Sequence, residues 1–171
     1  MVHEHILRSI TSHSSDQTVA LGEWLGRHLS KGTCLALDGD LGAGKTTLTR
    51  GIGLGLGGYP VSSPSYTLHD LHQGGRLTLS HCDAWMQDRE VAFLEDGGTE
   101  WLLGEGISVV EWADRVSEWL PSPRLGIRLL HQTPSSRLLE FRIFGPEGPP
   151  EGLCAALMDL IRDLPECGES S

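Results

Sequence analysis

Residues 39–46 read Gly-Asp-Leu-Gly-Ala-Gly-Lys-Thr, a complete G-x-x-x-x-G-K-[ST] pattern, and no other stretch restricts the fold of this 171-residue chain as sharply. The chain holds two lysines, Lys31 and Lys45, and the second falls where the pattern requires one. Ahead of it, Thr33-Cys34-Leu35-Ala36-Leu37-Asp38 is a short apolar run that reads as a buried strand. Behind it, Thr47-Leu48-Thr49-Arg50-Gly51-Ile52 opens a helical pattern. Glycines let the backbone curl so that successive N–H groups face one anion, and the helix adds the positive end of its dipole. Lys45 would reach the β- and γ-phosphates of a nucleoside triphosphate, and the Thr46 hydroxyl would sit on Mg²⁺. A glycine-rich turn capping an ordinary helix is the bland alternative. The order strand, loop, lysine, hydroxyl, helix favours phosphate binding over it.

Composition bounds the rest. With 13 basic and 23 acidic residues the net charge is −10, which argues against this chain gripping nucleic acid alone, since phosphate contacts need clustered Lys and Arg. The length suits one domain with a real core. Cys34, Cys82, Cys154 and Cys167 lack metal or redox spacing and read as reduced thiols of a cytoplasmic protein. The first residues lack a signal peptide's charged and apolar regions, and no apolar stretch approaches membrane-spanning length, so no membrane association is expected.

Ser14-Ser15-Asp16-Gln17 predicts a helix start, and Val19, Leu21, Trp24, Leu25 and Leu29 give that helix an apolar face ending before Lys31-Gly32. The helix after the phosphate loop must end among the glycines of residues 51–58. Gly53, Gly55 and Gly58 satisfy G-x-G-x-x-G, but they follow a helix rather than a strand and do not signal dinucleotide binding. Residues 66–72 and 76–82 are strand-like, and Gly74-Gly75 between them favours a two-residue hairpin. Residues 89–103 read as one or two short helices broken at Gly97-Gly98. Residues 107–110 form a short buried strand ending in Glu111-Trp112, and 125–130 and 138–144 read as late strands. The expectation is α/β: a P-loop NTPase-like three-layer fold with a mixed, mainly parallel sheet and an antiparallel hairpin. Residues 1–144 form that domain, 145–152 a Pro/Gly linker, 153–164 a closing helix and 165–171 a disordered polar tail.

In open α/β sheets, ligands gather beyond the carboxyl ends of strands, and Asp38, Asp83 and Glu111 each stand at such an end. Glu111 follows an apolar strand, as Walker-B acids do, which favours it as the metal-linked acid. Asp83 is the second candidate, for water or metal, and the residues alone leave open which of the two touches Mg²⁺. An acid after a strand is ordinarily a solvated turn residue; the phosphate loop is what raises both. His69-x-x-His72 with His81 and Cys82 has a zinc-like composition, yet residues three apart on a strand face opposite sides, so these read as surface histidines. Trp24 and Trp119 read as core or partly buried anchors, whereas Trp85 and Trp112, beside the acids, read either as lining the nucleotide site or as simple core packing. Ser63-Pro64-Ser65-Tyr66 reads either as a loop sensing the terminal phosphate or as a rigid connection into the hairpin.

Taken in order, Gly-Asp-Leu-Gly-Ala-Gly-Lys-Thr-Thr, Ser-Pro-Ser-Tyr-Thr-Leu, His-Cys-Asp-Ala-Trp and Glu-Trp resemble the TsaE (YjeE) family, small bacterial ATPases of tRNA threonylcarbamoyladenosine synthesis. The resemblance runs from about residue 14 to residue 144. It implies that Gly42, Ala43, Gly44, Lys45, Thr46 and Thr47 hold ATP, with Thr46 and Glu111 on Mg²⁺. It assigns Asp83 to hydrolysis with Lys45 and Glu111, and it implies that Arg137 and Ser14 approach the nucleotide, Ser14 near the base. The family's Asp-x-Tyr-Arg is here Asp83-Ala84-Trp85-Met86, which keeps the aromatic ring and loses the guanidinium; Ser65 keeps the hydroxyl of the family's Ser-Pro-Thr. The implied activity is Mg²⁺-dependent ATP hydrolysis, weak alone and coupled to a complex of TsaB and TsaD. That complex, not this chain, would meet tRNA, and the outcome would be threonylcarbamoylation of adenosine 37.

Two alternatives differ in class. A small-molecule kinase would need an acceptor site and commonly an arginine-bearing lid, for which residues 86–106 offer only Arg89. A nucleotide-dependent binding module would let ATP set a conformation, with hydrolysis vestigial. A regulatory GTPase is disfavoured, because the chain contains no asparagine for the usual Asn-Lys-x-Asp guanine reader.

Overall fold

Short apolar runs bounded by turns become strands, and the longer amphipathic runs become the helices that cover them. The computed structural model describes residues 3–58, 61–62, 68–102, 104–146 and 152–167. The Ser63–Tyr66 loop, most of the Pro/Gly linker and the last residues of the tail lie outside the described residues. The strands are β1 (His3–Ser12), β2 (Cys34–Asp38), β3 (His69–His72), β4 (Leu79–Asp83), β5 (Ile107–Glu111), β6 (Arg124–His131) and β7 (Arg137–Gly145). The helices are α1 (Ser15–His28), α2 (Lys45–Gly57), α3 (Gln87–Phe93), α4 (Thr99–Leu102) and α5 (Gly152–Arg162), with a kink at Leu94–Gly98 that is non-helical at Asp96 and Gly97, and a 3₁₀ helix at Ala113–Trp119 interrupted at Val116.

The described strands form one sheet in the order β1-β7-β6-β2-β5-β4-β3. Its centre, β6-β2-β5-β4, is parallel, and the pairs β1·β7, β6·β7 and β3·β4 are antiparallel. The mixed α/β sheet of the sequence reading is therefore what the chain adopts. The central strands are buried on both faces: β4 and β5 are buried at every position and β2 at all but its last. One face packs against α1, α2 and α5 through a core that includes Leu25, Leu48, Ile52, Phe141 and Leu157. The other is covered by the segments from α3 to the 3₁₀ helix, through Cys34, Ala36, Leu94, Leu102 and Val116. Each large apolar side chain fully buried this way contributes about 1.5–3 kcal/mol.

Ser14 caps α1 as its spacing predicts: the Gln17 N–H donates to Ser14 Oγ at 3.1 Å, and the Gln17 side chain accepts from His13 N at 2.7 Å. The glycines of α2 have a packing role. Gly22 and Gly26 on α1 face Gly51 and Gly55 on α2 so closely that a Cβ at any of the four would lie 2.1–2.3 Å from a backbone oxygen of the other helix. The helix survives its glycine content because tertiary contact replaces the lost propensity.

Two features depart from the sequence reading. β1 is absent from it, because the strand's apolar residues do not alternate: Ile6 is 61% and Leu7 39% exposed, while Ile10 is buried. This edge strand exists by pairing with β7, with its register shifted between Ile6 and Arg8. The β3–β4 hairpin closes through residues 73–78 rather than through Gly74-Gly75 alone. Gly75 is used to approach Gly57 at the end of α2, where a Cβ on Gly57 would lie 2.6 Å from Gly75 Cα. Arg76 then ties the loop to both helices, its N–H donating to Leu56 O and its guanidinium to the Gly26 and Leu29 carbonyls. The closing helix α5 places Cys154, Leu157 and Ile161 in the main core. Arg8 of β1 caps its far end, donating to the carbonyls of Ile161 and Arg162 and pairing with Glu166 at 2.5 Å.

Candidate functional site

β2 delivers the chain to the loop, and the loop delivers it to α2. Gly39, Gly42 and Gly44 hold positive φ values of 144°, 74° and 106°. At Gly39 a Cβ would lie 2.4 Å from Leu129 O, so the curl leaves no room for a side chain there. Gly44 caps α2 without a side-chain hydrogen bond, so the first amides of the helix face the loop.

Lys45 is buried, and its ammonium donates to Gly39 O at 2.6 Å and Asp40 O at 3.0 Å. It also lies 3.7 Å from the centre of the Trp112 ring. Burial pushes the Lys45 amine below its ordinary range, opposed by Glu111, Asp83, Asp38 and Asp40. Trp112 holds the left-handed conformation (φ 58°, ψ 41°), a strained geometry for a bulky residue directly after Glu111. Its ring meets Trp85 edge-on at 4.7 Å, and the Arg115 guanidinium stacks on both indoles.

The two acids stand side by side, because β4 and β5 end in the same register, Asp83 opposite Glu111. Thr46 Oγ1 donates to Glu111 Oε2 at 3.0 Å, and Glu111 Oε1 meets His81 Nε2 at 2.8 Å. Asp83 is buried, and its Oδ1 accepts the Trp85 N–H at 3.0 Å. Asp38 turns elsewhere: its Oδ1 accepts the Asp114 N–H at 2.8 Å, tying the end of β2 to the 3₁₀ helix, and burial raises its pKa. Lys45, Thr46, Asp83, Arg89, Glu111 and Trp112 line one cavity of about 490 Å³, with Trp85 at its edge.

A second cavity, about 320 Å³, opens on the opposite flank of the loop between Ser14, Gly42, Ala43, Thr47 and Arg137. Arg137 braces the loop, donating to Ala43 O at 3.1 Å and Gly42 O at 3.4 Å. The residues singled out in the sequence thus gather around one loop in two groups, the acids on one side and Ser14 with Arg137 on the other. His81 corrects the surface-histidine reading. It is fully buried, and its Nδ1 has no partner among the described residues. His69 and His72 are half-buried, and His69 Nε2 meets Ser80 Oγ at 2.7 Å. The signal for His81 was present: it precedes Asp83 by two residues on a strand, and so shares its face.

Removing the imidazole with His81→Ala leaves the buried Glu111 carboxylate with the Thr46 hydroxyl as its side-chain partner. The expected loss of stability is about 3 kcal/mol, read from chemical denaturation against wild type.

Strand, glycine loop, uncapped helix and acid-tipped neighbouring strands define a P-loop NTPase-like protein. Within that class, the profile of the family described as "Threonylcarbamoyl adenosine biosynthesis protein TsaE" matches residues 12–139, and the chain belongs to the TsaE family. A Treponema pallidum protein described as "tRNA threonylcarbamoyladenosine biosynthesis protein TsaE" is 38% identical over 119 residues, covering 69% of this chain and 87% of that protein. A Bacillus subtilis protein of the same description is 36% identical over 131 residues, covering 76% and 82%. The crystal structure of Bacillus subtilis YdiB superposes with a TM-score of 0.72 at 28% identity, over 95% of this chain and 97% of that one.

Proposed function

We propose that this chain is the ATPase that supports threonylcarbamoylation of adenosine 37 in tRNA, acting in the cytoplasm on a complex of TsaB and TsaD through Mg²⁺-dependent ATP binding and slow hydrolysis. The observation that carries the reading is the Thr46 hydroxyl on the Glu111 carboxylate, at the mouth of a glycine loop closed by Lys45. Membership of the TsaE family supports the pathway.

The residues suit the ligand. The donor set at the mouth is a hydroxyl and carboxylates, the hard oxygens Mg²⁺ prefers, and Mg²⁺ shared with phosphates needs only one or two protein ligands. Thr46 would hold the ion with Glu111 behind it, and the ion would neutralise charge on the phosphate oxygens. The loop amides and the start of α2 bind phosphate oxygens, and the glycines allow the approach. Lys45 supplies a positive charge already desolvated and pointed at the loop. Asp83, one strand from Glu111, orients the attacking water by accepting its proton's hydrogen bond at a carboxylate oxygen. Trp112 and Trp85 cover the mouth and limit bulk water. Ser14 and Arg137 bound the opposite flank, where the nucleoside end of ATP would lie.

Reconstitution tests the reading. With TsaB, TsaD, threonylcarbamoyl donor and tRNA, adding this chain and Mg-ATP is expected to raise modified tRNA over repeated rounds. No gain would remove the proposal. Phosphate release that appears only with a small acceptor would make the chain a kinase, and ATP retention without turnover even with partners present would make it a binding module.

A further inference from the structure

The cavity beside Thr46 is lined by four charged side chains: Lys45 and Arg89 against Asp83 and Glu111. Lys45 is committed to the Gly39 and Asp40 carbonyls and to the Trp112 ring. Arg124, Arg128 and Arg142 line a different cavity, beside Asp38 and Gly39, and the two arginines that touch the loop or its tryptophans are both occupied. Arg115 donates to the Trp85 carbonyl and lies on two indole rings. Arg137 spreads its donors over the carbonyls of Gly42, Ala43, Thr133, Pro134 and Ser136 on the other flank.

Arg89 differs. It stands on α3, exposed, and its one hydrogen-bonding neighbour among the described residues is the Met86 sulfur, a weak acceptor 3.5 Å from Nη1. A guanidinium with open donors therefore shares a cavity with the threonine hydroxyl and the two carboxylates. Lys45 alone offsets only one of those carboxylates, and a triphosphate brings more negative charge to the same space. A planar fork matches phosphate oxygens two at a time, which a point charge does not.

We infer that Arg89 is the guanidinium that contacts the terminal phosphate of a nucleoside triphosphate held by the loop, and so distinguishes triphosphate from diphosphate. The inference rests on the ATP-binding reading above. Because Arg89 is exposed and its guanidinium meets only the Met86 sulfur among the described residues, its replacement is expected to leave the fold intact.

Isothermal calorimetry with Mg²⁺ and either a non-hydrolysable ATP analogue or ADP tests it. Arg89→Ala is expected to weaken the triphosphate analogue roughly tenfold or more, and ADP by less than about twofold. Arg89→Lys recovers part of the loss, since it keeps the charge without the fork. Arg162→Ala, which removes an exposed guanidinium from α5, changes neither affinity. Arg89→Ala binding both nucleotides as wild type does, or weakening both alike, overturns the assignment and leaves ATP binding intact. A wild-type chain that takes up neither nucleotide overturns both.

Discussion

Lys45→Ala is expected to lower Mg²⁺-dependent phosphate release by at least about a hundredfold, the usual scale for losing a preorganised charge at a reacting phosphate. The ammonium sits buried between two loop carbonyls and an indole face, a position on the loop that the exposed Arg89 across the cavity does not occupy. Lysine to arginine should fare little better, because the pocket between the Gly39 and Asp40 carbonyls suits a compact charge rather than a fork. Glu111→Gln is the companion variant. It keeps the shape of the side chain and removes the charge that faces both the Thr46 hydroxyl and His81. Its release should fall by a similar factor, while its melting temperature reports separately on the fold. Unchanged release in both variants contradicts the assigned site.

A separate effect on stability is expected far from that chemistry. In Gly55→Ala the new Cβ would lie 2.1 Å from Glu23 O and 2.9 Å from Arg27 N, both backbone atoms of α1. Neither can swing aside as a side chain would, so the helices must separate. Overpacking of this kind costs about 1–3 kcal/mol and occasionally more, while alanine returns roughly 1 kcal/mol of helix propensity. Here the backbone clash sets the sign, and a net loss of about 2 kcal/mol is expected in urea or guanidinium titrations. Gly104→Ala is the control: its Cβ would meet only ordinary contacts at 3.6 and 3.7 Å, and its cost should stay within about 0.5 kcal/mol. If the two variants melt alike, the close crossing of α1 and α2 is not what those glycines serve.

What could be read in the sequence was what local chemistry dictates. The strand, loop and helix around Lys45 carry period, turn chemistry and a charged residue that agree with one another. The acids at the ends of β4 and β5 are visible because each closes a strand-like run, apolar only before Glu111, and the parallel register then sets them side by side. The break in the helices before β5 was visible at Gly97, whose φ is 103°. What escaped depends on partners distant in the chain. β1 has no pattern of its own and exists through β7. The hairpin loop is set by Gly75 meeting Gly57 and by Arg76 reaching α1 and α2, which turn preferences do not encode. His81 has a readable position beside Asp83, but its burial depends on Glu111, 30 residues away, which strand spacing does not reveal.

The strand order has a consequence for how the chain reaches this state. β2, which carries the phosphate loop, pairs among the described residues with β5 and β6. During synthesis the segment that will hold the loop has nothing to hydrogen-bond with until residues 107–111 have been made. The first strand waits longer still, for residues 137–145. Contacts so distant along the chain slow folding and leave apolar strands uncovered while they wait. The loop and its lysine therefore take their final shape late, once β5 and β6 are available.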